Sequence, residues 1–211
     1  MICQYVRLPV WWSGSSTCGF GDVVIDLIDE AFRLQTFLEK HQCQFCFIGG
    51  VAVQNWGEPR LTRDIDLTLQ TGFGGEERHV DLLLDAYLPR IEGARQFALA
   101  QRVLLLRTPG GIGIDVSLGA LPYEQLVIDR AVLVELLPGR SLRLCSPEDL
   151  IIMKLFAGRE TDLRDARSVV VRQGDGRLRW DYVENHLAEF ADIKDDPGLM
   201  DQLRRMRSSV R

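Results

Sequence analysis

Seven consecutive residues, Asp64–Gln70 (DIDLTLQ), alternate polar and apolar side chains without a break. Side chains two apart on a strand leave the same face, so Ile65, Leu67 and Leu69 line one face and Asp64, Asp66 and Thr68 the other. A period of two over this length reads as a half-buried strand. The chain is thereby committed to a sheet with one side of this strand in a core and two carboxylates together on the other. Like charges at that spacing repel unless something neutralises them. A solvated edge strand carries the same pattern, so the acid pair alone leaves both readings open.

Just ahead, the apolar run CQFCFIG reads as a short strand broken by Gly49–Gly50, and VAVQNW as a short helix that begins at those glycines and ends near Gly57-Glu58-Pro59. Glycines let a phosphate approach the backbone, and a helix start offers free N–H groups with a partial positive charge. A Gly pair is also what an ordinary turn uses. Farther on, Asp115 stands between Ile114 and Val116 in GIGIDVSLG, an alternating segment otherwise short of charge. A third carboxylate beside an acid pair serves as a metal ligand or a general base. Such oxygen donors suit hard divalent cations, Mg2+ or Mn2+, which keep positions open for substrate phosphates.

The flanking elements follow from period and punctuation. Asp22 to His41 repeats apolar residues at helical spacing, with Asp22 as N-cap. A helix follows from about Glu76 to Leu88. Two strand-like segments, QFALAQRVLLLRT and GIGIDVSLG, are joined by the Pro109-Gly110-Gly111 turn. Next come a helix over Pro122 to Asp129 and a strand around SLRLCS. Ser146, Pro147 and Glu148–Asp149 then open another helix with an N-cap, a first-turn proline and first-turn acids. From Thr161 to Arg211 the chain reads as helices broken at QGDGRLRW and KDDPG. The expected architecture is an α/β (α+β) mixed sheet flanked by helices. It divides into an irregular segment 1–21, a core 22–145 and a C-terminal helical region 146–211.

A formal net charge of -5 excludes nucleic-acid binding through overall basicity, leaving local patches such as LRRMRSSVR at the end of the chain. Five cysteines without framework spacing point to a reducing, cytoplasmic compartment. Cys43 and Cys46 lack the second pair that a zinc site needs, and Cys46 reads as a buried strand residue. No apolar run approaches the roughly 20 residues of a membrane span, and the N-terminus does not read as a signal peptide. The Trp11–Trp12 pair would dock on the body or on a partner. His79 and His186 have no ligand-spaced companions.

Gly49–Gly50, Asp64-x-Asp66 and a distal Asp115 together resemble the nucleotidyltransferase superfamily with the DNA polymerase β-like fold. The wording GGVAVQNWGEPRLTRDIDL, with DLIIMKLFAGRETDLRDARSV later, is most similar to the toxin branch of abortive-infection and type IV toxin–antitoxin systems (AbiEii-like). The resemblance spans roughly Cys46 to Val169. It implies an enzyme moving NMP from an NTP, such as ATP or GTP, onto a hydroxyl acceptor: a tRNA or other RNA end, a protein, or a small molecule such as an aminoglycoside. It implies Mg2+ (or Mn2+) held by Asp64, Asp66 and Asp115, phosphates contacted by Gly49 and Gly50, and an antitoxin protein as partner. Lys154 would help bind the triphosphate, with Asp162 or Asp165 positioning it, and Asp64, Asp66, Asp115 and Lys154 form the implied catalytic set. Thr62 and Arg63, with Arg60, precede the acid strand and would meet phosphate, though a solvated loop explains them equally well. From its flanks, Met153 and Leu155, Lys154 itself reads as an apolar stem carrying its ammonium to a rim. Where families of this fold place Ser at the second turn position, Gly50 leaves only the backbone amide. A module of the same fold that binds nucleotide or a partner without catalysis is the alternative reading.

Overall fold

The structure, a computed structural model, describes residues 20–208. Trp11, Trp12, Cys3, Cys18 and the last residues of the basic tail lie outside the described residues. Among those described, the chain order is α1 (Phe20–Lys40), β1 (Phe45–Phe47), α2 (Gly49–Trp56), β2 (Asp64–Gln70), α3 (Glu76–Ala86), β3 (Leu88–Pro89), α4 (Ala94–Gln101), β4 (Val103–Arg107) and β5 (Gly113–Gly119). It continues with α5 (Pro122–Asp129), β6 (Val132–Leu137), β7 (Arg140–Leu144), α6 (Pro147–Ala157), α7 (Glu160–Gln173), α8 (Trp180–Lys194) and α9 (Gly198–Ser208).

The strands form one mixed sheet in the order β3-β4-β5-β2-β1-β7-β6, so the acid-bearing β2 lies at its centre. β2 pairs antiparallel with β1 and parallel with β5. The alternation of β2 then sorts its side chains between two cores. Ile65, Leu67 and Leu69 pack with Ile114, Val116 and Leu118 of β5 against apolar residues of α1, α3 and α4. The other face is roofed by a second cluster from α2 and α5–α9, which includes Val53, Val127, Ile151, Leu155, Val169 and Leu187. Asp64, Asp66 and Asp115 therefore open towards the helical C-terminal side.

Two expectations need correction, and one strand, β6, was not foreseen. Asp22 lies inside α1, whose described start is Phe20, so it is not the cap. The segment 96–108 is not one strand. Its first half belongs to α4, bounded by Gly93 (φ 67) and Arg102 (φ 57), both left-handed. There Ala94 and Ala98, four apart, fill the core as a helix places them, while the period-two spacing of Phe97 and Leu99 is incidental. β6 gives no clear sequence signal because it is an edge strand, with Leu133 62% exposed, and its apolar residues do not alternate. Cys46 is a buried residue of β1, as expected, and burial pushes its thiol up to about 12, which leaves it inert.

Candidate active site

The register of β2 and β5 assembles the acids. Asp66 and Asp115 are direct cross-strand partners, and Asp64 faces Gly113 one pleat earlier. Neighbouring strands lie about 4.8 Å apart, so carboxylates that are distant in the chain share one small patch. Glycines make room for them. A Cβ on Gly49 would overlap the Asp66 carboxylate, and one on Gly113 would overlap that of Asp64. Gly49 also adopts φ 57, which costs a side-chain-bearing residue about 1 kcal/mol or more.

Each acid has a hydrogen-bond donor beside it. Gly50 N–H, at the start of α2, donates to Asp66 Oδ2 (3.3 Å). Arg90 reaches Asp64 Oδ1 with Nη1 (3.3 Å) and Asp115 Oδ1 with Nη2. Burial is the main force raising the Asp66 carboxyl, to about 6; Gly50 N–H opposes it, Asp115 and Asp64 add to it, and Lys154 partly offsets it. Asp115 is also raised, first by burial and then by Asp64, against the pull of Arg90. Among the described residues no three His, Cys, Asp or Glu side chains converge as a ready-made metal cage. The donor chemistry nevertheless fits a hard divalent cation. Three carboxylates crowd one face, and a guanidinium already bridges two of them.

Lys154 corrects the expectation of a rim. It is only 8% exposed, and its Nζ lies 2.8 Å from Asp162 Oδ1 and 2.9 Å from Asp165 Oδ2. Both aspartates are buried on one side of α7, three residues apart. Burial would raise each of them. Hydrogen bonds from Arg159 and Lys154 hold Asp162 below the usual range, and those from Arg60 and Lys154 do the same for Asp165. Arg60 grips Asp165 with two bonds of 2.7 Å, tying the loop before β2 to α7. Thr62 is buried against Gly50, and Arg63 is exposed.

The start of α6, which carries Lys154, is fixed by the expected Ser146 cap together with a buried network around Asp149 that the sequence reading missed. Ser146 caps it by accepting from Asp149 N–H (3.1 Å). The fully buried Asp149 accepts from Tyr182 (2.6 Å), Arg130 Nε (3.2 Å) and Tyr123 (3.3 Å). Arg90 and Gly113 were also missed. A glycine on an alternating strand was an available signal for Gly113; nothing in the sequence pointed to Arg90. The histidines stay out of the site, His79 bonding Gly75 O and His186 packing on Tyr123 and Tyr182.

Residues 34–172 match the family model described as nucleotidyl transferase AbiEii toxin, type IV toxin–antitoxin system. Among solved structures, an antigenic nucleotidyltransferase-like protein from Paracoccidioides brasiliensis aligns at 20% identity, TM-score 0.52, over 85% of this chain and 93% of its own. The crystal structure of ANT(2")-Ia in complex with adenylyl-2"-tobramycin aligns at 17% identity, TM-score 0.52, over 80% and 99%. The solution structure of ANT(2")-Ia, an antibiotic-resistance factor, aligns at 16%, TM-score 0.51, over 82% and 95%. At these identities the structures establish the fold. No curated protein matches the chain.

Proposed function

This chain belongs to the AbiEii nucleotidyltransferase toxin family of type IV toxin–antitoxin systems, and from that premise we propose that it transfers NMP from an NTP onto a hydroxyl at an RNA end. The observation that carries the reading is the cross-strand pairing of Asp66 with Asp115 on the face that also bears Asp64, beside the Gly49–Gly50 start of α2. Asp64, Asp66 and Asp115 would hold Mg2+ or Mn2+. Such a cation, when bound, neutralises triphosphate charge and makes a hydroxyl more acidic. Asp115, its carboxyl raised by burial, takes the acceptor's proton. The acceptor oxygen bonds to the α-phosphorus, the α–β bridging bond breaks and pyrophosphate leaves. Amides at the start of α2 and the Lys154 ammonium offer positive partners to the phosphates, with Asp162 and Asp165 holding Lys154 in orientation. Thr62 shapes the turn from beneath Gly50, and Arg63 offers an exposed charge at its edge.

The acceptor reading comes from α7 and α9. Three concavities of about 280, 560 and 340 Å3 share Arg164, and the first also includes Arg60 and Asp165. Among the described residues Arg164, Arg167 and Arg205 are exposed and make no ion pair, although Glu58 and Glu160 also line the surface. Unpaired guanidiniums suit a phosphodiester backbone and repel a polycation such as an aminoglycoside. An acidic chain thus still offers a basic track beside its site.

The test is incubation with each labelled NTP, Mg2+ and fractionated cell extract. Label should enter the RNA fraction and vanish for Asp66→Ala at a melting temperature no lower than that of wild type. Label in protein or small molecules would overturn the acceptor assignment. Transfer surviving in Asp66→Ala, or Mg2+-dependent binding without transfer to any fraction, would overturn the mechanism and favour the non-catalytic module.

A further inference from the structure

The face that carries the acids continues past them. Two residues beyond Asp66 on β2 stands Thr68, and two beyond Asp115 on β5 stands its cross-strand partner Ser117. These two form the floor of a cleft of about 220 Å3, walled by apolar and aromatic residues of α5, α6 and α8, among them Tyr123, Met153, Phe156 and Phe190. The cleft meets the site through the chain as well as through the sheet. Ile48, which lines it, immediately precedes Gly49, and Met153 immediately precedes Lys154. Phe190 stands edge-on to Tyr123 (centroids 4.8 Å apart) and 5.2 Å from Phe156, so three rings form one continuous wall.

The lining decides what the cleft can take. It carries one ionisable carboxylate, Glu124, already accepting from the amides of Ala120 (2.8 Å) and Leu121 (2.9 Å). Nothing there compensates a phosphate, and nothing but Glu124 would favour a polycation. A flat, uncharged, polarisable ring is the complementary occupant, since aromatic and thioether walls stack on any π-face. The pleat puts the cleft floor about 6.6 Å from the acids, a gap that a ribose spans between the α-phosphate and the base.

We propose that this cleft is the subsite for the nucleobase of the NTP, with Phe156, Phe190 and Tyr123 as its stacking wall and Ser117 and Glu124 as its polar contacts. The inference rests on the nucleotidyltransferase reading, which supplies the NTP. A terminal base of the acceptor has the same chemistry. The ties to Gly49 and Lys154, the residues assigned to the phosphates, place the incoming nucleotide here instead.

Calorimetric titration of each NTP, of inorganic tripolyphosphate and of a short single-stranded RNA, all with Mg2+, separates these cases. Phe156 and Leu121, 39% and 54% exposed at the rim, can be truncated without opening the core. Wild-type protein should bind at least one NTP more tightly than tripolyphosphate. Phe156→Ala should weaken that NTP roughly tenfold, as loss of one stacking surface does, with tripolyphosphate and RNA unchanged. Leu121→Ala should weaken it in the same direction by less. Equal binding of NTP and tripolyphosphate by wild type, or an unmoved NTP in both variants, overturns the base subsite. Loss of RNA binding instead of NTP binding in Phe156→Ala assigns the cleft to the acceptor. If neither NTP nor tripolyphosphate binds wild type, the nucleotidyltransferase reading fails first, and this subsite with it.

Discussion

Asp66 pays a folding penalty that pH can reveal. In the metal-free protein its carboxyl is raised from an ordinary 3.8 to about 6, chiefly by burial against α2 and by the neighbouring acids. The folded state therefore holds this proton over a pH range in which the unfolded chain has released it. The slope of stability with pH follows the difference in bound protons, so Asp66 lowers stability as pH rises from about 4 to about 6, and the loss is complete above that. Each pK unit is worth about 1.4 kcal/mol, which gives up to ~3 kcal/mol. Asp66 keeps part of its surface in water, so the measured value should fall below that ceiling. Asp66→Asn removes the titration while preserving shape and the acceptor for Gly50 N–H.

The measurement is urea unfolding of wild type and Asp66→Asn in EDTA across about pH 4 to pH 7. Taking the difference between the two proteins removes the opposite contributions of Asp162 and Asp165, whose lowered carboxyls favour the fold above their own range. The variant should match wild type near pH 4 and exceed it by about 2–3 kcal/mol near pH 7. A pH-independent difference, or a variant less stable at neutral pH, would refute the assignment of Asp66 as a strained, buried carboxylate.

Two further outcomes follow from the ion pairs. Lys154→Met leaves Asp162 and Asp165 buried with Arg159 and Arg60 alone, and should cost about 3 kcal/mol by urea denaturation; an unchanged midpoint would mean that the aspartates reach solvent. Arg90→Gln removes the guanidinium that bridges Asp64 and Asp115, and should tighten Mn2+ binding, read by the loss of free Mn2+ signal in electron paramagnetic resonance. Weaker Mn2+ binding would show that Arg90 supports the acids as a scaffold and does not compete for them.

Local patterns in the chain carried much of the site and stopped where partners come from other elements. The alternation of β2 placed Asp64 and Asp66 on one face, and the Gly pair placed the start of α2, because both depend on neighbours in sequence. Ser146 and Pro147 marked the start of α6 for the same reason. Lys154 was misjudged because its flanks, Met153 and Leu155, suggest a stem at a rim, whereas Asp162 and Asp165 approach it from the next helix. Arg90 was invisible because its role depends on β3 pairing with β4, which brings an irregular segment over β5. In α4 a period-two accident outweighed a helix that is set by tertiary burial of two alanines.

The parallel pairing of β2 with β5 also governs when a site can exist. Parallel neighbours cannot close through a tight turn, and here the crossover runs through α3, β3, α4 and β4 before Asp115 arrives beside Asp66. Lys154 and the aspartates that hold it come later still. Contacts of such long sequence separation form slowly and late. A nascent chain that has already exposed Gly49, Gly50, Asp64 and Asp66 thus still lacks the third carboxylate, Asp115, and the Lys154 ammonium. The residues of the proposed reaction are complete only when almost the whole family-matched region, 34–172, has been made.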